Sequence, residues 1–172
     1  NGCTATSIAT VTVDKAPPTA NAGANTTLTC STTSAVIGTS NTAGYTYSWS
    51  PSNGLSATNI SNPTASPLAT TTYTVTVTAA NGCTATSSVI VTVNTVPPVA
   101  NSGGTKTTTC SNPTATLGVT TVAGNSYSWT PTTGLNNPLI AQPIANPLVT
   151  TTYTVTVTGS NGCTATSIAT VI

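Results

Sequence analysis

Five cysteines hold most of the reactive chemistry in this chain of 172 residues, at Cys3, Cys30, Cys83, Cys110 and Cys163. Thiols in such numbers serve as metal ligands or as disulfide partners. Zinc sites draw on CxxC pairs and histidine. No CxxC spacing occurs here and His is absent, so metal ligation is the weaker reading. Beyond the thiols almost nothing titrates, since Asp14, Lys15 and Lys106 are the only charged side chains. General acid–base catalysis needs a group whose pKa lies near the working pH, and a hard cation needs about six to eight oxygen ligands. The chain therefore reads as no enzyme, with no catalytic residues, no metal site and no cofactor. A net charge of +1 removes the term that dominates affinity for nucleic acid. No apolar run is long enough, at about 18 residues, to cross a bilayer. No signal peptide is visible, and the segment reads as cut from a longer precursor.

The cysteines sit in a repeat of 80 residues. Cys3, Cys83 and Cys163 each lie in the string NGCTATS, and Cys30/Cys110, Trp49/Trp129 and Tyr73/Tyr153 share that offset. Residues 1–80 match 81–160 at roughly half of their positions, which marks a structural unit copied in tandem.

Strands must carry this unit. From Tyr73 to Thr78 the sequence alternates Tyr or Val with Thr, so Tyr73, Val75 and Val77 fall on one face and the threonines on the other. Val89 to Val93 reads the same way, and the short AANGC between them signals a hairpin, with Asn81-Gly82 able to take positive φ. Ala35 to Gly38 and Tyr45 to Trp49 read as two further strands, and Thr64 to Ser66 as a short one among Pro51, Pro63 and Pro67. About seven short strands per unit with no helical periodicity argue for an all-β fold, tandem Ig-like antiparallel β-sandwiches. Boundaries fall at Pro17-Pro18 and Pro97-Pro98. The expected bodies are residues 15–93 and 94–172, and residues 1–14 are the closing strand of a preceding repeat.

The set PPTANAG or PPVANSG, a following Cys, YSWSP or YSWTP, GL, NP, TTTYTVTVT and NGCTAT resembles the tandem Ig-like or PKD-like repeats of very large secreted surface proteins of Bacteroidota-type bacteria. The resemblance covers nearly the whole chain. It implies export to the cell surface, as part of a stalk, adhesin or filament. The scarcity of acidic residues departs from that pattern, because relatives often carry Asp in the turns.

In such a sandwich Trp49 and Trp129 are core anchors rather than sugar platforms, and Tyr73 and Tyr153 stand where a tyrosine corner forms. Tyr45 has no repeated partner, its counterpart being Asn125, and is the freest aromatic for contact with a ligand. In an oxidising compartment the cysteines are disulfide partners. Two schemes compete. Pairing within bodies would join Cys30 to Cys83 and Cys110 to Cys163. Pairing between bodies would join Cys30 to Cys163, with Cys3, Cys83 and Cys110 turned toward repeats outside the chain. The second is favoured, because the two turns of one body lie at opposite ends of strands roughly 17–20 Å long, while a disulfide needs Cα atoms within about 7 Å. The functional expectation is a secreted structural stalk or filament stiffened by Pro-Pro linkers and disulfides. The alternative is an adhesin that binds glycan or a host surface through loops near Tyr45 or Asn53 to Asn62. Expected partners are adjacent repeats of the same chain. A nearly uncharged, Thr-covered surface also favours lateral self-association into fibres.

Overall fold

The computed structural model describes residues 1–172. Six strands form in the first repeat: β1 (Thr26–Thr29), β2 (Ala35–Val36), β3 (Thr46–Ser50), β4 (Thr64–Ala65), β5 (Thr71–Thr78) and β6 (Thr84–Asn94). Five follow in the second: β7 (Ala115–Thr116), β8 (Ser126–Thr130), β9 (Ile144–Ala145), β10 (Thr151–Thr158) and β11 (Thr164–Val171). Strands β7 to β10 repeat β2 to β5 at the sequence offset, residue for residue. The architecture is all-β and antiparallel, of the immunoglobulin-like sandwich type. One sheet of each set has the order β1-β6-β5-β3 or β11-β10-β8, and the other is the pair β2-β4 or β7-β9.

The alternation of the long strands sets their register. Tyr73, Val75 and Val77 on β5 are buried, as are Tyr153, Val155 and Val157 on β10. The intervening threonines face outward. β5 pairs with β3 on one side, Trp49 lying opposite Val75, and with β6 on the other, Tyr73 opposite Val89. The second set repeats this, with Trp129 opposite Val155 and Tyr153 opposite Ala169. Sliding any of these ladders by one residue would turn the valines to water and the threonines inward. In the second set the core gathers Leu117, Trp129, Tyr153, Val155, Val157 and Val171.

The chain falls into two compact units, Asn1–Thr26 with Ser34–Thr92, and Thr27–Thr33 with Val93–Ile172. Compared with the expected bodies 15–93 and 94–172, the first unit also takes in residues 1–14, Val93 passes to the second unit, and so does Thr27–Thr33. That stretch of the first repeat belongs to the second unit because Cys30 within it is bonded there.

Other expectations need correction. The strands number six and five rather than about seven, because Pro-rich stretches form turns and only two-residue pairings. β6 begins at Thr84, well before Val89, and β1 carries no alternation that would announce it. Residues 1–14, expected to close a preceding repeat, form no strand against the present chain, and every one is exposed; their pairing with a preceding repeat stands as a proposal. The first eleven residues are identical to Asn161–Val171, most of which fold as β11 against β10. A strand exists only with a hydrogen-bonded partner, and no segment of the chain pairs with residues 1–14. Pro17-Pro18 and Pro97-Pro98 lie in stretches without strand structure.

Glycine is required where backbone meets core. Gly38 has φ +81°, and a Cβ there would strike the Ser61 carbonyl and the Trp49 indole. Gly44 has φ +79° but faces open space. Gly44→Ala should therefore cost only the left-handed penalty, about 1–2 kcal/mol. Gly38→Ala adds overpacking of about 1–3 kcal/mol. Urea titration of both variants checks this, and equal midpoints would refute the packing argument.

Candidate functional site

The chemistry of this chain lies at one disulfide. Cys30 follows β1 directly and Cys163 sits in the turn between β10 and β11. The two are bonded across 133 residues of sequence, with Cα atoms 5.0 Å apart. Cys3 and Cys110 are exposed and Cys83 half-buried, all as free thiols. The within-repeat pairs Cys30–Cys83 and Cys110–Cys163 do not form, and topology explains why. Lys106 bridges Val171 in parallel, so the chain runs on toward Cys110 at the far end of β11 from Cys163. Eight residues of β11 span about 26 Å, far beyond disulfide reach.

Local sequence shapes both turns. In the hairpin, Gly159 N–H donates to the Cys163 carbonyl and Gly162 N–H to the Gly159 carbonyl, each at 2.9 Å. Gly162 takes φ +74°, which a side chain would resist. The Asn161 side chain accepts from Cys163 N–H at 3.1 Å and donates to the Val96 carbonyl at 2.9 Å. Around Cys30, the Thr29 and Ser31 hydroxyls are 3.1 Å apart, and Thr32 N–H donates to the Thr29 hydroxyl. The Cys30 N–H then donates to the Asn161 carbonyl at 3.2 Å, and Cys163 is 2% exposed.

The aromatic residues divide by burial. The Trp49 and Trp129 indoles donate to the Ile60 and Ile140 carbonyls at 2.9 and 3.0 Å, and both rings are buried. Neither offers a face to a sugar. The Tyr73 hydroxyl donates to the Asn53 carbonyl and the Tyr153 hydroxyl to that of Thr133. Both tyrosines are fully buried, and burial raises their pKa above 10.0 despite the nearby Thr71 and Thr151.

Tyr45 is half-buried and lines a groove of about 520 Å³ with Asn41, Thr46, Tyr47, Asn59, Ile60 and Ser61. Two features named separately in the sequence, Tyr45 and the loop from Asn53 to Asn62, meet there. Tyr47 was not anticipated, although residues two apart on a strand share a face. Its hydroxyl accepts from Thr42 N–H at 3.0 Å. No buried side-chain nitrogen or oxygen lacks a partner. No group of three or more His, Cys, Asp or Glu comes together to hold a metal ion. No helix is long and apolar enough to cross a membrane.

No protein-family model and no curated protein matches the chain. Among solved structures, it is similar to titin domains I67–I69 at 13% identity and TM-score 0.46, over 87% of this chain and 62% of that one. It is similar to the PcdhgB3 EC1-4 fragment at 11% identity and TM-score 0.45, over 90% of this chain and 50% of that one. DIP-gamma IG1+IG2 matches at 11% identity and TM-score 0.46, over 91% and 97%. The chain thus spans between half and two thirds of the first two.

The buried tyrosines fix how stability responds to alkali. With pKa raised in the folded state, the unfolded chain loses these protons first as pH rises, so stability is whole below about pH 10 and falls above it. Denaturation midpoints measured in steps up to pH 11.5 should show this drop. Tyr153→Phe should reduce it, and an unchanged slope would remove the tyrosine from the account.

Proposed function

We propose that this chain is a repeat segment of an extracellular structural protein, a stalk or filament in which successive sandwiches are locked by disulfides. The observation that carries the reading is the Cys30–Cys163 bond, which joins one sequence repeat to the next. Disulfides persist in oxidising compartments, which supports a secreted, cell-surface location. A catalytic role has no residues to perform it. Tension along the backbone enters before Cys30 and leaves after Cys163, so the sulfur bridge carries it past the 133-residue span between them. Pro17-Pro18 and Pro97-Pro98 support the same reading as stiff, extended stretches of chain.

Lateral association of such segments has a candidate surface. Leu68 and Leu148 occupy equivalent positions and are 99% and 98% exposed, which sets one apolar stud per repeat on a surface with almost no charge to repel a neighbour.

A second reading, an adhesin segment, is favoured by the Tyr45 groove. A half-buried phenol ringed by Asn, Ser and Thr side chains suits a sugar, which needs a flat apolar face and hydrogen-bonding groups together. Saturable binding to one glycan class, lost in Tyr45→Ala, would establish this role beside the structural one.

Force spectroscopy on the chain held at its termini tests the main reading. Oxidised, its unfolding extension should fall short of the reduced chain's by about 440–480 Å, the contour of the 133 sequestered residues at about 3.3–3.6 Å each. Equal extensions with and without reductant would overturn it.

A further inference from the structure

The bonded junction has two halves, and the structure contains a second, unbonded example of each. One half is the turn around Cys30, and its copy is the turn around Cys110. The Thr109 and Ser111 hydroxyls are 3.1 Å apart and Asn112 N–H donates to the Thr109 hydroxyl at 3.1 Å. Thr29, Ser31 and Thr32 make the same contacts at 3.1 and 3.2 Å. The other half is the hairpin holding Cys163, and its copy is the hairpin holding Cys83. Ala79 N–H donates to the Cys83 carbonyl at 2.9 Å, Asn81 accepts from Cys83 N–H at 3.0 Å, and Gly82 has φ +78°.

What separates bonded from free copies is an occupant. At Gly162 the direction of a Cβ is filled by Ser31, whose Oγ lies 2.8 Å and backbone nitrogen 3.2 Å from that point. At Gly82 the same direction holds nothing within 4 Å. Cys163 is 2% exposed in its junction, whereas Cys83 is half-buried and Cys110 exposed. The face around Gly82 and Cys83 is thus formed and open where Ser111 and Cys110 would fit.

We propose that Cys83 of one copy and Cys110 of a second copy form a disulfide of the Cys30–Cys163 kind, joining copies of this chain head to tail. The inference deepens the structural reading and rests on it. The interface is heterologous, because the two halves differ, and each added copy leaves one half of each kind free, so addition proceeds beyond a pair. Bond formation removes two protons and two electrons from the two thiols. A disulfide oxidant such as oxidised glutathione accepts them and leaves as two thiols. Cys3 has the sequence of Cys163 but lies in a stretch without strand or hairpin, so it presents no formed half and takes no part.

The test uses the 172-residue chain in a Cys3→Ser background, incubated with a glutathione redox pair and resolved without reductant. The parent should give a ladder of multiples of 16.8 kDa that collapses on reduction. Cys83→Ser and Cys110→Ser should each lose the ladder, yet mixed together they should give one heterodimer and nothing larger, because one supplies Cys110 and the other Cys83. Peptide mapping should recover Cys83 joined to Cys110 between chains. A monomer throughout, a bond between Cys83 and Cys110 inside one chain, or dimers from either single variant as abundant as from the mixture would overturn the proposal. The same map reads Cys30–Cys163. Its presence without intermolecular linkage sinks this inference alone, whereas its absence also sinks the structural reading.

Discussion

Burial of one face of β5 and of β10 is the constraint to which the other parts of each unit answer. Tyr, Val and Val point inward from each strand at 0–2% exposure, and this row fixes the strand's register together with the hairpin turn that follows it. With three charged side chains in the chain, neither ion pairs nor like-charge repulsion can select one pairing over another. The inward row decides which residues of β3 and β6 lie opposite, and hence that Trp49 meets Val75. Trp49 in turn demands an acceptor for its indole, which the Ile60 carbonyl supplies, and a neighbour without a side chain, which is Gly38. Irregular loops are thereby held by a few hydrogen bonds to the core aromatics.

The hairpin that closes each long sheet serves two purposes with one set of residues. Asn161 stabilises its own turn through Cys163 N–H and reaches back to Val96, while its carbonyl receives the Cys30 N–H. A turn that only had to reverse the chain would need no cysteine and would tolerate many residues. Gly162 is held to glycine twice, by its positive φ and by Ser31 pressed against it. Coupling of this sort makes the junction depend on the correct fold of the hairpin, so a misregistered β10 would also misplace the thiol.

Much of this was legible in the residues, for identifiable reasons. Alternating Thr and Val announces β5 and β10, Asn-Gly announces the hairpins, and the repeated aromatics Trp49/Trp129 and Tyr73/Tyr153 occupy positions where a sandwich places its core. The long first half of β6 was not legible, because Thr84 to Ser88 alternates between exposed and half-buried positions with residues too small and polar to write that alternation into the sequence. Nor was β1, four residues long with a single buried Leu28. The strand expected at residues 1–14 shows the converse limit, since Asn161–Val171 and Asn1–Val11 are identical in sequence and differ in structure. Strand identity there belongs to the partner and not to the segment. Tyr45 and the loop containing Asn59 could each be singled out, but their meeting is a tertiary fact that spacing in sequence does not encode.

The bond between Cys30 and Cys163 also changes what a break in the backbone means. A polypeptide ordinarily has one covalent route from end to end, and one hydrolysed peptide bond severs it. Between these two cysteines there are two routes, one through peptide bonds and one through sulfur. Lys106 lies inside that span, so a protease that cuts there leaves both ends attached. Loss of material from this stretch requires either two cuts or one cut together with reduction. That redundancy is a form of durability separate from the stability of the fold.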